Sequence, residues 1–195
     1  SKDSAQKEND IALLIETMSI REKIGQMIAV VPENFDFTLT QEQIDQGRIP
    51  SSVTMSEKMK ENFLQYPAGT IILFGKNIDT AEQTKKLIED FKAASKIPLM
   101  VSIDEEGGRV ARIAKNENFG IENLPPALET GTEKKAFENS FFIGSYLSRY
   151  GFNADFAPVA DIWTNEENTV IGNRAFSKDS KTAAKMVKAS IKGFH

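Results

Sequence analysis

Short apolar runs recur along the chain, separated by longer amphipathic stretches. Residues 27–31 (MIAVV), 69–74 (GTIILF), 97–103 (IPLMVSI) and 153–159 (NADFAPV) read as runs rather than as in–out alternation, which predicts strands buried on both faces. Helices fit between them. Ser19 with Glu22 has capping-box spacing and opens a short helix towards Met27, with Ile24 and Met27 as its apolar side. Ser56 starts a second helix that Pro67 and Gly69 stop. Thr80 and Gln83 form another capping-box pair, followed by Ala81, Thr84, Leu87, Ile88, Phe91 and Ala94 on one face. A further helix is predicted over about 132–150. The last starts near Asp179, with Ala184, Val187, Ile191 and Phe194 on one side.

Strands that alternate with helices in this way favour parallel pairing through right-handed crossovers. Four strand–helix steps are present. They suit an open doubly wound sheet or half of an eight-step (β/α)₈ barrel, and periodicity does not choose between the two. Residues 32–55 form a polar insertion too long for an idle connector, so it is either mobile or part of a binding rim. In both architectures chemistry belongs just beyond the carboxyl ends of the strands.

Composition narrows the chemistry. The 195 residues hold no cysteine and one histidine, His195, which excludes disulfides, thiolate catalysis, Cys-based metal sites and a His triad. Lys plus Arg is 24 and Asp plus Glu is 28, a net charge of −4 with no basic block, so nucleic acid is not an expected partner. No apolar stretch approaches the roughly 20 residues of a membrane span. Neither GxxxxGK[ST] nor a GxGxxG behind a strand occurs, so nucleotide binding is unsupported.

Three segments place polar groups at strand ends. In SIDEEGGRVARI (102–113), Asp104 closes a strand and Gly107–Gly108 turns the backbone behind it. Arg109 and Arg112, three apart, would share a side on a helical turn. A carboxylate beside a guanidinium suits a polyhydroxylated ligand, though the same residues could simply form ion pairs. In FAPVADIWTN (156–165), Asp161 follows the fourth strand and Trp163 offers a ring for the apolar face of a sugar; packing and a turn would use the same residues. In VIGNRAF (170–176), Gly172 and Asn173 shape a turn that presents Arg174. Carboxylates at 104–106 could attract Mg²⁺, but Asp161 is the only obvious acid from another loop, and no metal site is expected.

These segments, together with MSIREKIGQM (18–27) and AGTIILFGKNI (68–78), resemble glycoside hydrolase family 3 in its β-N-acetylhexosaminidase branch. The resemblance spans most of the chain from about residue 10. It implies an amino-terminal (β/α)₈ TIM-barrel domain, of which residues 1–195 would supply about the first half. It also implies a terminal β-N-acetylglucosaminide as substrate, such as occurs in peptidoglycan fragments; no cofactor is expected. By similarity Asp104, Arg112 and Arg174 contact the sugar, Asp161 has no more than a supporting role, and Glu105, Glu106 and Arg109 are structural. In this family a KHFPGHG-like segment and a later aspartate supply the acid/base and the nucleophile. Neither segment is in this sequence, so the chain is expected to contribute no catalytic residue. It is expected to be an inactive fragment of a retaining hydrolase, or else a sugar-binding or self-associating half barrel with exposed sheet edges. The polar start fits a secreted or lipid-anchored protein after processing, and cytoplasmic members of the family exist.

Overall fold

The computed structural model describes the backbone of residues 2–195 and the side chains from residue 10 onward. Strands β1 (Ala29–Val30), β2 (Thr70–Leu73), β3 (Met100–Ile103) and β4 (Ala154–Asp155) form one parallel sheet in the order β1-β2-β3-β4. Helices α1 (Lys2–Thr17) and α2 (Ile20–Gln26) precede it. Between β1 and β2 lie α3 (Gln41–Asp45), α4 (Pro50–Val53) and α5 (Glu57–Gln65); α6 (Ala81–Ala94), α7 (Glu133–Tyr150) and α8 (Ser180–Phe194) follow β2, β3 and β4.

The strand order decides between the two architectures. Each strand adds to the same side of the last, whereas a doubly wound sheet reverses at a switch point. Burial agrees. Ile71, Leu73, Val101 and Ile103 are fully buried in one cluster with Phe63 of α5, Leu87, Ile88 and Phe91 of α6, and Ile143 and Leu147 of α7. On the opposite face Met100 is exposed, Thr70 and Ile72 are half-buried and only the small Ser102 is buried, among the strand residues of β2 and β3. The sheet is the arc of a barrel, helices outside, and the barrel is not closed.

Two strands are shorter than the pattern predicts. Met27 caps α2 by donating its N–H to Ile24, and it is 87% exposed, so neither it nor half-exposed Ile24 forms a core side; the buried residue of α2 is Gly25, against Pro67. At β4 the side chain of Asn153 occupies the ladder instead, accepting from the Val101 N–H at 2.7 Å and donating to the Leu99 carbonyl at 2.9 Å. Pro158, which has no N–H, cannot extend the pairing. Helix α1 carries the apolar residues Ile11, Leu13, Leu14 and Ile15, all partly exposed, and was not evident from periodicity.

The capping signals hold in full at Ser19 and by half at Thr80. Ser19 and Glu22 exchange both bonds of the box, with Glu22 N–H to Ser19 Oγ at 3.2 Å and Ser19 N–H to Glu22 Oε2 at 2.9 Å. Gln83 departs from the pattern: Thr80 Oγ1 accepts its N–H, but its own carbonyl takes the N–H of Asp79 rather than that of Thr80. Helix α8 also departs from it. The buried face is Ala183, Met186, Ser190 and Gly193, while Ile191 remains 46% exposed and lines an open groove with Ile162, Ala184 and Val187.

Helices α7 and α8 approach closely because small residues face each other. Ser140 Oγ and Ser190 Oγ are 2.5 Å apart, and a Cβ at Gly193 would collide with the Phe137 carbonyl. Backbone cannot yield as a flexible side chain can. Gly193→Ala should therefore destabilise the protein by about 1–3 kcal/mol, read as a lower urea midpoint at unchanged slope.

Candidate functional site

The segment after β3 is an irregular loop built around a buried carboxylate. Gly107 and Gly108 adopt φ of +85° and +56°, a region other residues rarely occupy, and a side chain on Gly108 would strike Pro126. The turn they make brings residues 112–114 back over Glu105. Glu105 is fully buried and accepts from the N–H groups of Arg112 (2.5 Å), Ile113 (2.9 Å) and Ala114 (2.9 Å) and from the Tyr146 hydroxyl (2.8 Å). Four donors on one carboxylate replace its lost hydration. Burial, with the Glu105 charge beside it, raises the pKa of the Tyr146 phenol, so Tyr146 stays a donor.

Asp104 and Arg112 emerge on either side of this anchor. Arg112 Nη2 lies 3.2 Å from Asp104 Oδ2, both side chains about a quarter exposed, and the guanidinium sits over the Phe74 ring with its carbon 5.9 Å from the centroid. Arg174, on the single 3₁₀ turn Gly172–Arg174, makes a bidentate pair with Glu106: Nε to Oε2 at 2.8 Å and Nη2 to Oε1 at 2.6 Å. The hydrogen bonds to Glu106 raise the Arg174 pKa, and the charges of Asp104 and Asp161 add to the effect. Asp104, Glu106, Arg112 and Arg174 are thus electrostatically one cluster beyond the carboxyl ends of β3 and β4.

Other expectations change. Arg109 and Arg112 do not share a helical side, because the loop is not helical; Arg109 donates to the carbonyls of Thr169, Val170 and Ile171 and ties down the loop before Arg174. Asp161 is exposed. Trp163 is half-buried with the Lys178 ammonium 4.7 Å from its ring centroid, so one face of the ring is already occupied. The polar insertion is fastened to its surroundings: Glu33, Ile44 and Ser52 bond to Lys76 and Asn77 of the β2–α6 connection, and Val53 to Gln83 of α6.

Sequence reasoning passed over Asp155. It pairs in register with buried Ile103, so it belongs to the helix side of the sheet and not to the face of Asp104. Its Oδ1 accepts from the Glu105 N–H at 2.9 Å, while Oδ2 is buried without a partner. Burial above all, with the Glu105, Asp104 and Glu106 charges, pushes its pKa up to about 8. A carboxyl raised in the folded state binds a proton that the unfolded chain, near pH 4, has released. Stability should therefore fall as pH rises between about 4 and 8, by up to ~1.4 kcal/mol per pH unit. Asp155→Asn should flatten that slope in urea melts at pH 5 to 8. Separately, Glu105→Gln turns an acceptor into a donor against N–H groups and should cost about 2–4 kcal/mol, far more than Tyr146→Phe at about 1–2 kcal/mol.

The profile described as "Glycosyl hydrolase family 3 N terminal domain" matches residues 19–195. A β-hexosaminidase of Stenotrophomonas maltophilia (strain R551-3) is 31% identical over 146 residues, covering 70% of this chain and 42% of that protein. One from Vibrio cholerae serotype O1 (strain M66-2) is 34% identical over 136 residues, covering 67% and 39%. The β-hexosaminidase A of Pseudoalteromonas piscicida matches over 25% of its own length, so the chain spans between a quarter and about two fifths of these relatives. Among solved structures, a family 3 β-N-acetylglucosaminidase from Paenibacillus sp. str. FPU-7 superposes with a TM-score of 0.73 at 27% identity, over 91% of this chain and 31% of that one. NagZ from Neisseria gonorrhoeae, in complex with N-trifluoroacetyl-D-glucosamine, gives 0.66 at 28% identity, over 86% and 46%. The arc of parallel strands and the loops at its mouth are thus those of a known lineage, and the chain belongs to glycosyl hydrolase family 3, within its N-terminal domain.

Proposed function

We propose that this chain supplies the sugar-gripping part of a β-N-acetylhexosaminidase site, for a terminal, non-reducing β-N-acetylglucosamine. The observation that carries the reading is the Asp104–Arg112 pair at 3.2 Å, partly open to solvent and within electrostatic reach of Arg174. A carboxylate accepts from sugar hydroxyls and a guanidinium donates to them in a fixed fork, so the pair can read both sides of a hydroxyl. The relatives named β-hexosaminidase, and the NagZ complex with a glucosamine derivative, support the sugar class. Arg174 would take part from the facing loop, with Asp161 and Trp163 further out on it.

We propose also that residues 1–195 alone bind without hydrolysing. Retaining hydrolysis needs one group to attack and another to protonate the leaving oxygen. Asp104 and Glu106 are each held by an arginine, and the carboxyl with the raised pKa, Asp155, faces the helix layer. Titration with N-acetylglucosamine followed by NMR should show saturable binding, and Asp104→Ala should weaken it about tenfold or more, as expected for lost charge-assisted hydrogen bonds. No 4-nitrophenol should be released from its N-acetyl-β-glucosaminide. Absence of binding overturns the first statement, and turnover the second.

The open edges favour one further property. Partly apolar grooves flank both edge strands, lined by Ile24, Ile28 and Phe37 beside β1 and by Leu147, Phe152, Ile191 and Phe194 beside β4. Unpaired edges with apolar flanks associate. Light scattering should report assemblies larger than one 21.7 kDa chain, and a stable monomer would remove this reading.

A further inference from the structure

We infer that Glu33 is a positioning residue for Arg112, acting through Asn77 and Phe74; this rests on the proposed reading of Arg112 as a sugar contact. Glu33 lies on the 3₁₀ turn Pro32–Phe35 and is fully buried. Its Oε1 is 2.6 Å from the Lys76 ammonium, and its Oε2 accepts from Asn77 Nδ2 at 2.9 Å. Lys76 donates in addition to the Ile44 carbonyl at 2.5 Å.

The orientation of Asn77 follows from these partners. Its Nδ2 faces two acceptors, Glu33 Oε2 and the Ser52 carbonyl at 3.0 Å, so its Oδ1 must point the other way. There it accepts the N–H of Phe74 at 2.8 Å. The ladder between β2 and β3 ends at Leu73 and Ile103, so Phe74 is the first residue with no strand partner. The amide of Asn77 takes over that role and fixes the backbone from which the Phe74 ring projects. By the alternation of β2, the ring lies on the face opposite buried Leu73, where Arg112 stacks on it.

A buried ion pair is a weak source of stability but can specify a geometry. Here each link is a direct contact, and the chain of contacts ends at the guanidinium that faces Asp104. The insertion of residues 32–55, which carries Glu33 and Ser52, would thus set how Arg112 is presented without touching the ligand.

The test uses Glu33→Gln, Phe74→Leu and the double variant. Arg112 Nε is buried without an acceptor, so its N–H gives a reporter in the ¹H–¹⁵N spectrum that feels the ring current of Phe74. In folded Glu33→Gln this signal should move towards its position in Phe74→Leu, and N-acetylglucosamine affinity should fall about three- to tenfold, the scale of one partly buried cation–π contact. In the Phe74→Leu background, Glu33→Gln should weaken binding no further, whereas a merely structural loss would add. An unmoved Arg112 signal in Glu33→Gln, or additive losses, overturns the inference. Should Glu33→Gln fail to fold, Phe74→Leu decides at a partly exposed position: an unmoved Arg112 signal there overturns it equally. If the unmodified chain binds no N-acetylglucosamine, the proposed function fails while the Arg112 signal still decides the positioning.

Discussion

The buried carboxylate of Glu105 is the fixed point of this structure. Its acceptor sites hold three successive N–H groups of the returning loop and one phenol from α7, so strand, loop and helix meet on a single side chain. Without it, residues 112–114 would have buried donors with nothing to satisfy them, a cost of several kcal/mol. Asp104 and Glu106, its sequence neighbours, point elsewhere, each towards an arginine. One charged group is spent on architecture, and the two beside it are each left to an arginine.

A second polar network does for β2 what Glu105 does for β3. Glu33, Lys76, Asn77 and Gln83 fasten the insertion between β1 and β2 to the β2–α6 connection. Arg48 adds an ion pair with Asp79 at 2.5 Å and a bond to the Ile78 carbonyl at 2.7 Å. The rim of the arc is therefore polar and fastened, while the layer under the helices is apolar. Directional bonds at the rim fix angles; apolar packing beneath fixes distances.

Much of the fold was legible in the sequence, since strands covered by helices read as apolar runs and helix starts carry their caps. Asp104 was legible for the same reason: the run 97–103 ends at it. What escaped detection depended on partners far away in sequence. The faces of α8 could not be ranked from periodicity alone, because the small residues Ser190 and Gly193 make the close contact while larger Ile191 stays in the open. Met27 completes an apolar run but serves as a helix cap. Arg109 and Arg112 have helical spacing, yet two glycines at positive φ send them apart. Asp155 sits in a short run beside apolar neighbours, and only the register with Ile103 shows which way it faces. The similarity to family 3 identified Asp104, Arg112 and Arg174 as candidates; the pairing of Arg174 with Glu106 needed coordinates.

The tight seam between α7 and α8 has a mechanical corollary. The loop bearing Arg174 is strung from β4 to α8, and α8 has almost no room to slide on α7 where Gly193 meets the Phe137 carbonyl. Helix α7, in turn, is tethered through Tyr146 to the carboxylate beneath Asp104. Both halves of the arginine–acid cluster thus share one frame of reference, so a bulkier side chain in the seam of the outer helices would be felt where Arg112 and Arg174 meet their carboxylates.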